Sequence, residues 1–432
     1  MLLKFAISNF ISIKERQVID FRASSNTQKK ELLDNLTDYP AKQFDGNAVR
    51  AAIVYGANAA GKSNFFKAFQ VLRQMVVDSD KLKLDKAIPA YDPFLLDAQS
   101  KKMPSIFEIE FVANDQKRYF YELALDKYSV AKEELSFYPN NRKTSRKAMI
   151  FSRISGEATN FGELYRGKRD FALNKNQLLL SQAGLSALPV LAEPYRFFAT
   201  SMLNAPGYSS RFDQDLLEIA EEYLASNSEY MEAVNSIIRA ADTGINKIFV
   251  QNIEHQVNLP DDLPEEDRFK ILERLKKRIK TSHPVYDSGF EIGEEVFDLS
   301  RESTGTIKLL GLAGFVVSAI ADGSVIIMDE LDKNLHPLLT RMIIGMFQNP
   351  DLNKRNAQLI FSTHDVSLID KELFRLDQIF ITDKNKEGIS SIARLSDFKG
   401  ITKVKSLLKW YTLGMFRGVP AINEYEINLP RP

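Results

Sequence analysis

The sequence predicts an α/β chain in which apolar strands deliver chemistry at their ends. Three observations predict it. Ala51–Tyr55 is a short apolar strand that runs into a glycine-bearing loop and then a helical pattern. Val325–Met328 is a strand too hydrophobic to have an exposed face, and it ends in adjacent carboxylates, Asp329 and Glu330. Gln358–Ser362 is another such strand and ends in Thr363-His364-Asp365. Strands apolar throughout are those of a parallel sheet covered on both faces.

Composition narrows the function classes. The 432 residues suggest two to three domains. Hydrophobic residues make up 44% and charged residues 26%, enough for a sizeable core. Lys+Arg and Asp+Glu both number 57, which excludes a polybasic protein but leaves a local basic face open. The absence of Cys removes disulfides, zinc–thiolate sites, iron–sulfur clusters and cysteine nucleophiles. Four histidines, His255, His283, His336 and His364, make a multi-histidine metal centre a poor expectation. The longest apolar run, Ile307 to Met328, contains Lys308 and Asp322 and breaks at Gly323, so no membrane span is expected. Met1–Phe5 alternates like a strand and carries no signal pattern, so the expected location is cytoplasmic.

Along the chain, Met1–Phe21 reads as two strands around a turn near Ser12, and Ser24–Gly46 as a polar excursion. Phe66, Phe69, Leu72, Met75 and Val76 mark a helix over 63–79. From Ser105 to about Ile154 the period returns to two, with Asn140-Asn141-Arg142-Lys143 at a hairpin tip. Leu178 to about Glu266 is mostly helical in pattern. Asp261–Asp267 leads into Phe269, Leu272, Leu275 and Ile279 on one face, with acids first and Lys276, Lys277, Arg278 and Lys280 after. A solvated surface helix and a basic contact both fit that segment. Thr306–Ala321 is an apolar helix. The expected division is 1–175 (phosphate loop and β-hairpins), 176–284 (a mainly helical insertion lobe) and 285–432 (the remainder of the core).

Four pieces carry chemistry. Gly56-Ala57-Asn58-Ala59-Ala60-Gly61-Lys62-Ser63 fits the phosphate-loop pattern G-x-x-x-x-G-K-[ST]. Its backbone amides wrap phosphates at a helix N-terminus. Lys62 reaches the β- and γ-phosphates, and the Ser63 hydroxyl ligates Mg²⁺. Gly56, Asn58, Ala60, Gly61, Lys62, Ser63 and Asn64 form the expected nucleotide cradle. Asp329 would hold the Mg²⁺ hydration shell and Glu330 would act as general base on water. His364, after the next strand, stands where a γ-phosphate sensor belongs in one class of P-loop ATPases. Arg301-Glu302-Ser303-Thr304-Gly305-Thr306 opens a helix. It is either an ordinary cap on Ser303 or Thr304 or an anion cradle in which Ser303 and Gly305 bind nucleotide.

In this order the four pieces resemble an ABC-type ATPase head of the branch containing SMC, RecF and OLD proteins. Asn58 and the opening Asn9-Phe10-Ile11-Ser12 are similar to that branch, with Ile11 where many relatives carry Arg. Ser303-Thr304-Gly305 stands where transporters and SMC heads have Ser-Gly-Gly. More narrowly, Glu302–Thr306, Asp329-Glu330-Leu331-Asp332 and Leu335-His336-Pro337 resemble the stand-alone AAA-family ATPases of the RloA and AbiL kind. Tyr91-Asp92-Pro93-Phe94 and the tail Gly414–Pro420 share that resemblance.

The resemblance implies a P-loop NTPase, an ABC-ATPase-like head with a β-rich lobe and an inserted helical lobe. It implies ATP and Mg²⁺ as cofactors and a homodimer or higher homo-oligomer that sandwiches nucleotide. In that sandwich Ser303 and Gly305 of one protomer face the phosphate loop, Asp329, Glu330 and His364 of the other, with Asp332 across the seam. It further implies anti-phage defence with a separate effector protein, a nuclease or toxin. The alternative is a RecF-like repair clamp that holds DNA. About 240 residues between phosphate loop and signature, without sustained heptads, are too few for an SMC coiled coil. The 68 residues after His364 are too few for an OLD-type nuclease domain.

Overall fold

A computed structural model describes residues 1–24, 30–38, 46–139, 146–163, 173–184, 189–204, 227–241, 243–252 and 277–420, with positions 217 and 224. The chain divides into two compact units. The first is Met1–Asn204 with Gly323–Leu331 and Ile344–Pro432; the second is Ala205–Asp322 with Asp332–Ile343.

In the first unit the chain opens with β1 (Leu2–Ser8) and β2 (Gln17–Asp20), then a small ribbon of β3 (Leu36–Asp38) and β4 (Asn47–Val49). β5 (Ala51–Gly56) follows, and every one of its six residues is buried. Helix α1 (Lys62–Asp78) comes next, with Phe65, Phe69, Leu72 and Val76 along its buried face. Five strands then meander: β6 (Ser105–Val112), β7 (Arg118–Leu125), β8 (Val130–Phe137), β9 (Ala148–Ile154) and β10 (Asn160–Phe161). Helix α2 (Pro189–Arg196) leads to β11 (Met202–Asn204).

The N-terminal hairpin and the meander make one antiparallel sheet, ordered β10-β9-β8-β7-β6-β1-β2. One face of it closes over α1: Phe5 of β1 stacks on Phe69 at 3.8 Å between ring centroids. Residues of both sheets of this unit and of α1 share a single apolar core. Within it the Glu133 carboxylate is fully buried. It accepts from the amides of Leu179 (2.8 Å) and Leu180 (3.0 Å) and the Tyr121 hydroxyl (3.0 Å), so it ties the 178–180 segment to β8. Burial pushes this carboxyl up, and those donors work against the rise.

In the second unit, α3 (Ser228–Ala240) packs beside β12 (Lys247–Asn252), where the buried Asn235 amide exchanges two hydrogen bonds with the backbone of Ile248. β13 (Lys277–Asp287) lies between β12 and β14 (Phe290–Asp298). Ser288 (φ 50°) and Gly289 (φ 86°) turn the β13–β14 hairpin, both left-handed as a two-residue primed turn requires. α4 (Thr304–Asp322) follows. It is 19 residues with a mean hydropathy of 1.6, long and apolar enough to cross a membrane by composition alone, and 61% of its apolar window is buried inside the protein.

Two strand regions depart from the sequence reading. The segment from Leu178 reads as mostly helical, yet β11 and β12 form within it. The helical face expected to run through Ile279 gives way to strand at Lys277. There Ile279 and Thr281 are buried, and β13 pairs on both sides, which outweighs local 3.6-residue periodicity. Residues 253–276 and the hairpin tip at 140–143 lie outside the described residues.

The remaining elements are β15 (Val325–Met328), α5 (Pro337–Gln348), β16 (Gln358–Ser362), β17 (Ile379–Lys384), β18 (Ser390–Arg394) and α6 (Leu407–Thr412). The central sheet runs β11-β15-β16-β5-β17-β18 and is parallel except for the edge strand β18. Gln358, buried at the start of β16, bonds the Leu2 amide (2.6 Å) and the Leu2 and Val49 carbonyls (3.1 and 3.0 Å), which links the two sheets.

Asn9 performs a similar service for the loop after α1. At φ 51° it donates to the carbonyls of Ser100 and Met103 (2.9 and 2.8 Å) and accepts from the Phe94 amide (3.1 Å). Asn9→Ala leaves the Phe94 amide unpaired and takes one donor from each of the two carbonyls, and is expected to cost about 1–3 kcal/mol. Circular-dichroism melting should show a transition lowered by several degrees; an unchanged transition would show that the loop needs no such tie.

Candidate functional site

Parallel strands end together, and ligands bind at their carboxyl ends. Here β5, β15, β16 and β17 carry, at those ends, the glycine loop, Asp329-Glu330, Thr363-His364 and Lys384. Ala57, Asn58, Ala59, Gly61, Lys62, Ser63, Asn64, Glu330, His364 and Lys384 line one open cleft of about 690 Å³.

The loop is shaped by close approaches. A Cβ on Gly56 would lie 2.1 Å from Thr382 Oγ1, and one on Gly61 would lie 2.3 Å from Ser390 Oγ. Gly61 also has φ 102°, a left-handed value that glycine adopts at no steric cost. Ala60 is buried beneath the loop, and Asn58 and Ser63 are exposed on its cleft side. Lys62 is buried and its ammonium donates to the carbonyls of Gly56 (2.8 Å) and Ala57 (3.2 Å). Asn64 donates to Ser12 Oγ (2.6 Å), and Ser390 Oγ donates to the same oxygen (2.8 Å). Ser12, from the Asn9–Ser12 opening, thus supports the loop from below.

The two carboxylates are held differently. Ser362, fully buried, donates to Asp329 Oδ1, while the Glu330 amide donates to Ser362 Oγ at 2.8 Å. Glu330 adopts φ 51°, a strained value for a non-glycine residue, and this bond holds it there. His364 Nε2 stands 3.5 Å from Glu330 Oε1. Asp329 Oδ2 is buried with no hydrogen-bond partner among the described residues. Asp329 is not among the residues that line the cleft, but an orphaned carboxylate oxygen next to Glu330 in sequence suits Mg²⁺, which takes one or two protein oxygens and keeps several waters and phosphate oxygens. Among the described residues there is no group of three or more acidic or histidine side chains that could hold a metal by themselves.

Ser303 and Gly305 belong to the second unit. Ser303 Oγ accepts from the Thr306 amide (3.1 Å), so it caps α4 at an exposed helix N-terminus. A Cβ on Gly305 would meet the Asn334 carbonyl at 3.1 Å. Glu302, just before the cap, receives the Thr281 hydroxyl (2.5 Å) and contacts His283 Nε2 (2.7 Å). In the turn after β15 the Leu335 amide donates to the Asp332 carbonyl (3.0 Å), and His336 Nδ1 accepts from Leu338 at the start of α5, whose first residue is Pro337. His255 lies outside the described residues.

Two participants escape the motif reading. Lys384 lines the cleft from the end of β17, and Ser362 joins Asp329 to Glu330. Neither lies in a motif of fixed local spacing; each owes its place to strand register. An apolar run ending in Lys is the only sequence signal for Lys384.

The family model described as "AAA domain, putative AbiEii toxin, Type IV TA system" matches residues 51–370, from the first residue of β5 to just beyond His364. Among solved structures the chain is similar to an SMC head domain from Thermotoga maritima (14% identity, 91% of this chain and 98% of that one, TM-score 0.38). It is similar also to an Smc head bound to the C-terminal winged-helix domain of ScpA (14%, 93% and 99%, 0.44) and to the recombination mediator protein RecF (14%, 91% and 98%, 0.32). No curated protein matches it. The fold is that of an α/β P-loop NTPase with a β-rich lobe, and the chain belongs to the AAA-domain family whose model spans residues 51–370.

Proposed function

We propose that the chain is an ABC-type ATP hydrolase acting as a molecular switch. Nucleotide is held between two copies, and a separate effector protein reads the result. The observation that carries this reading is the convergence of Lys62, Ser63, Glu330 and His364 on one cleft at the ends of three parallel strands. Ser303 and Gly305 would complete that cleft from a second copy. Anti-phage defence, with a nuclease or toxin as effector, is the setting that the sequence resemblance and the toxin–antitoxin wording of the family description both support.

The chemistry follows from the side chains. Lys62 and the loop amides would bind the β- and γ-phosphates, and Lys384 would add a second cation at the cleft wall. Ser63 and Asp329 would hold Mg²⁺, which neutralises charge on the phosphates when bound. Glu330 would accept a proton from the attacking water, and His364, at 3.5 Å, would orient Glu330 and sense the γ-phosphate.

Glu330→Gln should bind ATP but hydrolyse it roughly 100-fold more slowly, and accumulate a dimer only with Mg-ATP. Light scattering with and without nucleotide reads this. A monomer under both conditions would sink the sandwich, and unchanged turnover would sink the base assignment. Ser362→Ala releases the Glu330 amide, so phosphate-release assays should show kcat down about tenfold at nearly constant KM; a change in KM alone would assign Ser362 to binding. Lys384→Ala should weaken ATP binding about fivefold, measured by calorimetry at low salt. Parental affinity in that variant would leave Lys384 as a solvated rim residue.

A further inference from the structure

The tail Gly414-Met415-Phe416-Arg417-Gly418-Val419-Pro420 lies beyond residues 51–370, and none of its residues lines the cleft. The fold nonetheless brings it to the base of the phosphate loop. Tyr411 of α6 is buried, and its hydroxyl donates to the Gly418 carbonyl at 2.9 Å. Between them the chain is knotted by short bonds: Gly414 amide to Tyr411 carbonyl (2.8 Å), Met415 to Trp410 (3.1 Å), Arg417 to Gly414 (3.0 Å). Phe416 is buried, stacked on Trp410 at 6.1 Å and edge-on to Phe398 at 5.6 Å.

Three backbones meet where this knot ends. Gly418 has φ +69°, and a Cβ there would stand 2.6 Å from Ile381 Cγ2, 2.8 Å from the Thr382 carbonyl oxygen and 3.5 Å from Gly56 Cα. A Cβ on Gly56 would stand 2.7 Å from that same Thr382 oxygen. The Thr382 carbonyl is therefore gripped between the glycine that opens the phosphate loop and the glycine near the end of the tail. The Gly418 amide adds a bond to Asp383 Oδ1 at 3.3 Å. On the other flank the Tyr411 ring packs 5.7 Å from that of Tyr55, the residue before Gly56. The Tyr55 hydroxyl donates to the Asp365 carbonyl at 3.1 Å, beside His364. Burial pushes the Tyr411 phenol up to about 12, against an opposing backbone hydrogen bond from Gly56, so it stays a neutral donor at neutral pH.

We propose that Leu407–Gly418 is a clasp on the start of the phosphate loop, with Tyr411 as its positioning residue, and that the clasp carries loop occupancy to the neighbouring Trp410. The clasp rests on the nucleotide-binding reading above. Trp410 is 39% exposed and is the single tryptophan of the chain, so it is a built-in reporter.

The test titrates Mg-ATP into the full chain and follows calorimetry and Trp410 emission on the same samples. The parent should show a saturable emission change with the calorimetric Kd, and Lys62→Ala should show neither signal. Tyr411→Phe keeps the ring and loses the hydroxyl's bonds to Gly418 and to the Gly56 backbone. It should melt within about two degrees of the parent without nucleotide, bind roughly fivefold more weakly and lose most of the emission change. Gly418→Ala, strained at φ +69°, should move the affinity in the same direction. Calorimetric binding with a silent Trp410 overturns the clasp and leaves nucleotide binding standing. So does Tyr411→Phe with parental Kd, even if its melting temperature falls, since that would mark plain structural support. A parent that binds no nucleotide overturns the functional reading and the clasp with it.

Discussion

Everything at the cleft depends on β5 being paired in parallel on both sides, with β16 through Phe361 opposite Ile53 and with β17 through Ile381 opposite Tyr55. Parallel pairing makes strand ends coincide. It converts sequence positions 56, 328, 362 and 384 into neighbours at one edge of one sheet. A strand with both neighbours and both faces covered has no room for polar side chains, and β5 is Ala-Ala-Ile-Val-Tyr-Gly. A slip of one residue in either register would rotate its side chains to the opposite faces and move the loop by a strand residue.

Beneath the loop a second constraint acts through small groups. Gly61, Ser390, Ser12 and Asn64 occupy a space where one added methyl collides. The Asn9-Phe10-Ile11-Ser12 opening thereby acquires a physical meaning: Ser12 braces the loop and Asn9 pins the segment that contains Phe94. Across the sheet the Ser362 hydroxyl plays a comparable part, since one buried oxygen serves both Asp329 and the strained backbone of Glu330.

These constraints also decide what the sequence discloses. The phosphate loop is legible because its requirements fall within eight consecutive residues, each glycine answering a backbone need. β15 and β16 are legible because burial on both faces leaves an unbroken apolar run. Ser362 and Lys384 are opaque, since their roles arise from alignment with residues far along the chain. Tyr411 is opaque for the same reason: nothing near it in sequence announces Tyr55 or Gly56. β11, three residues paired with β15 at the sheet edge, is hidden by its short length; β13 is hidden by apolar spacing compatible with a helix, which strand partners on either side override. The N-terminal hairpin and the meander read as separate pieces, because the β1–β6 pairing that merges them has no local signature.

The strand order has a consequence for how the molecule is made. β5 leaves the ribosome early, yet both of its partners, β16 and β17, are encoded some 300 residues later. At about 5–20 residues per second, that interval is on the order of tens of seconds. Throughout it this strand, buried along its whole length in the folded chain, lacks both neighbours, and the loop behind it has no Thr382 or Ser390 to shape it. Until that window closes the apolar surface of β5 stays open to wrong partners, and the phosphate loop acquires its final form only once β16, β17 and β18 are in place.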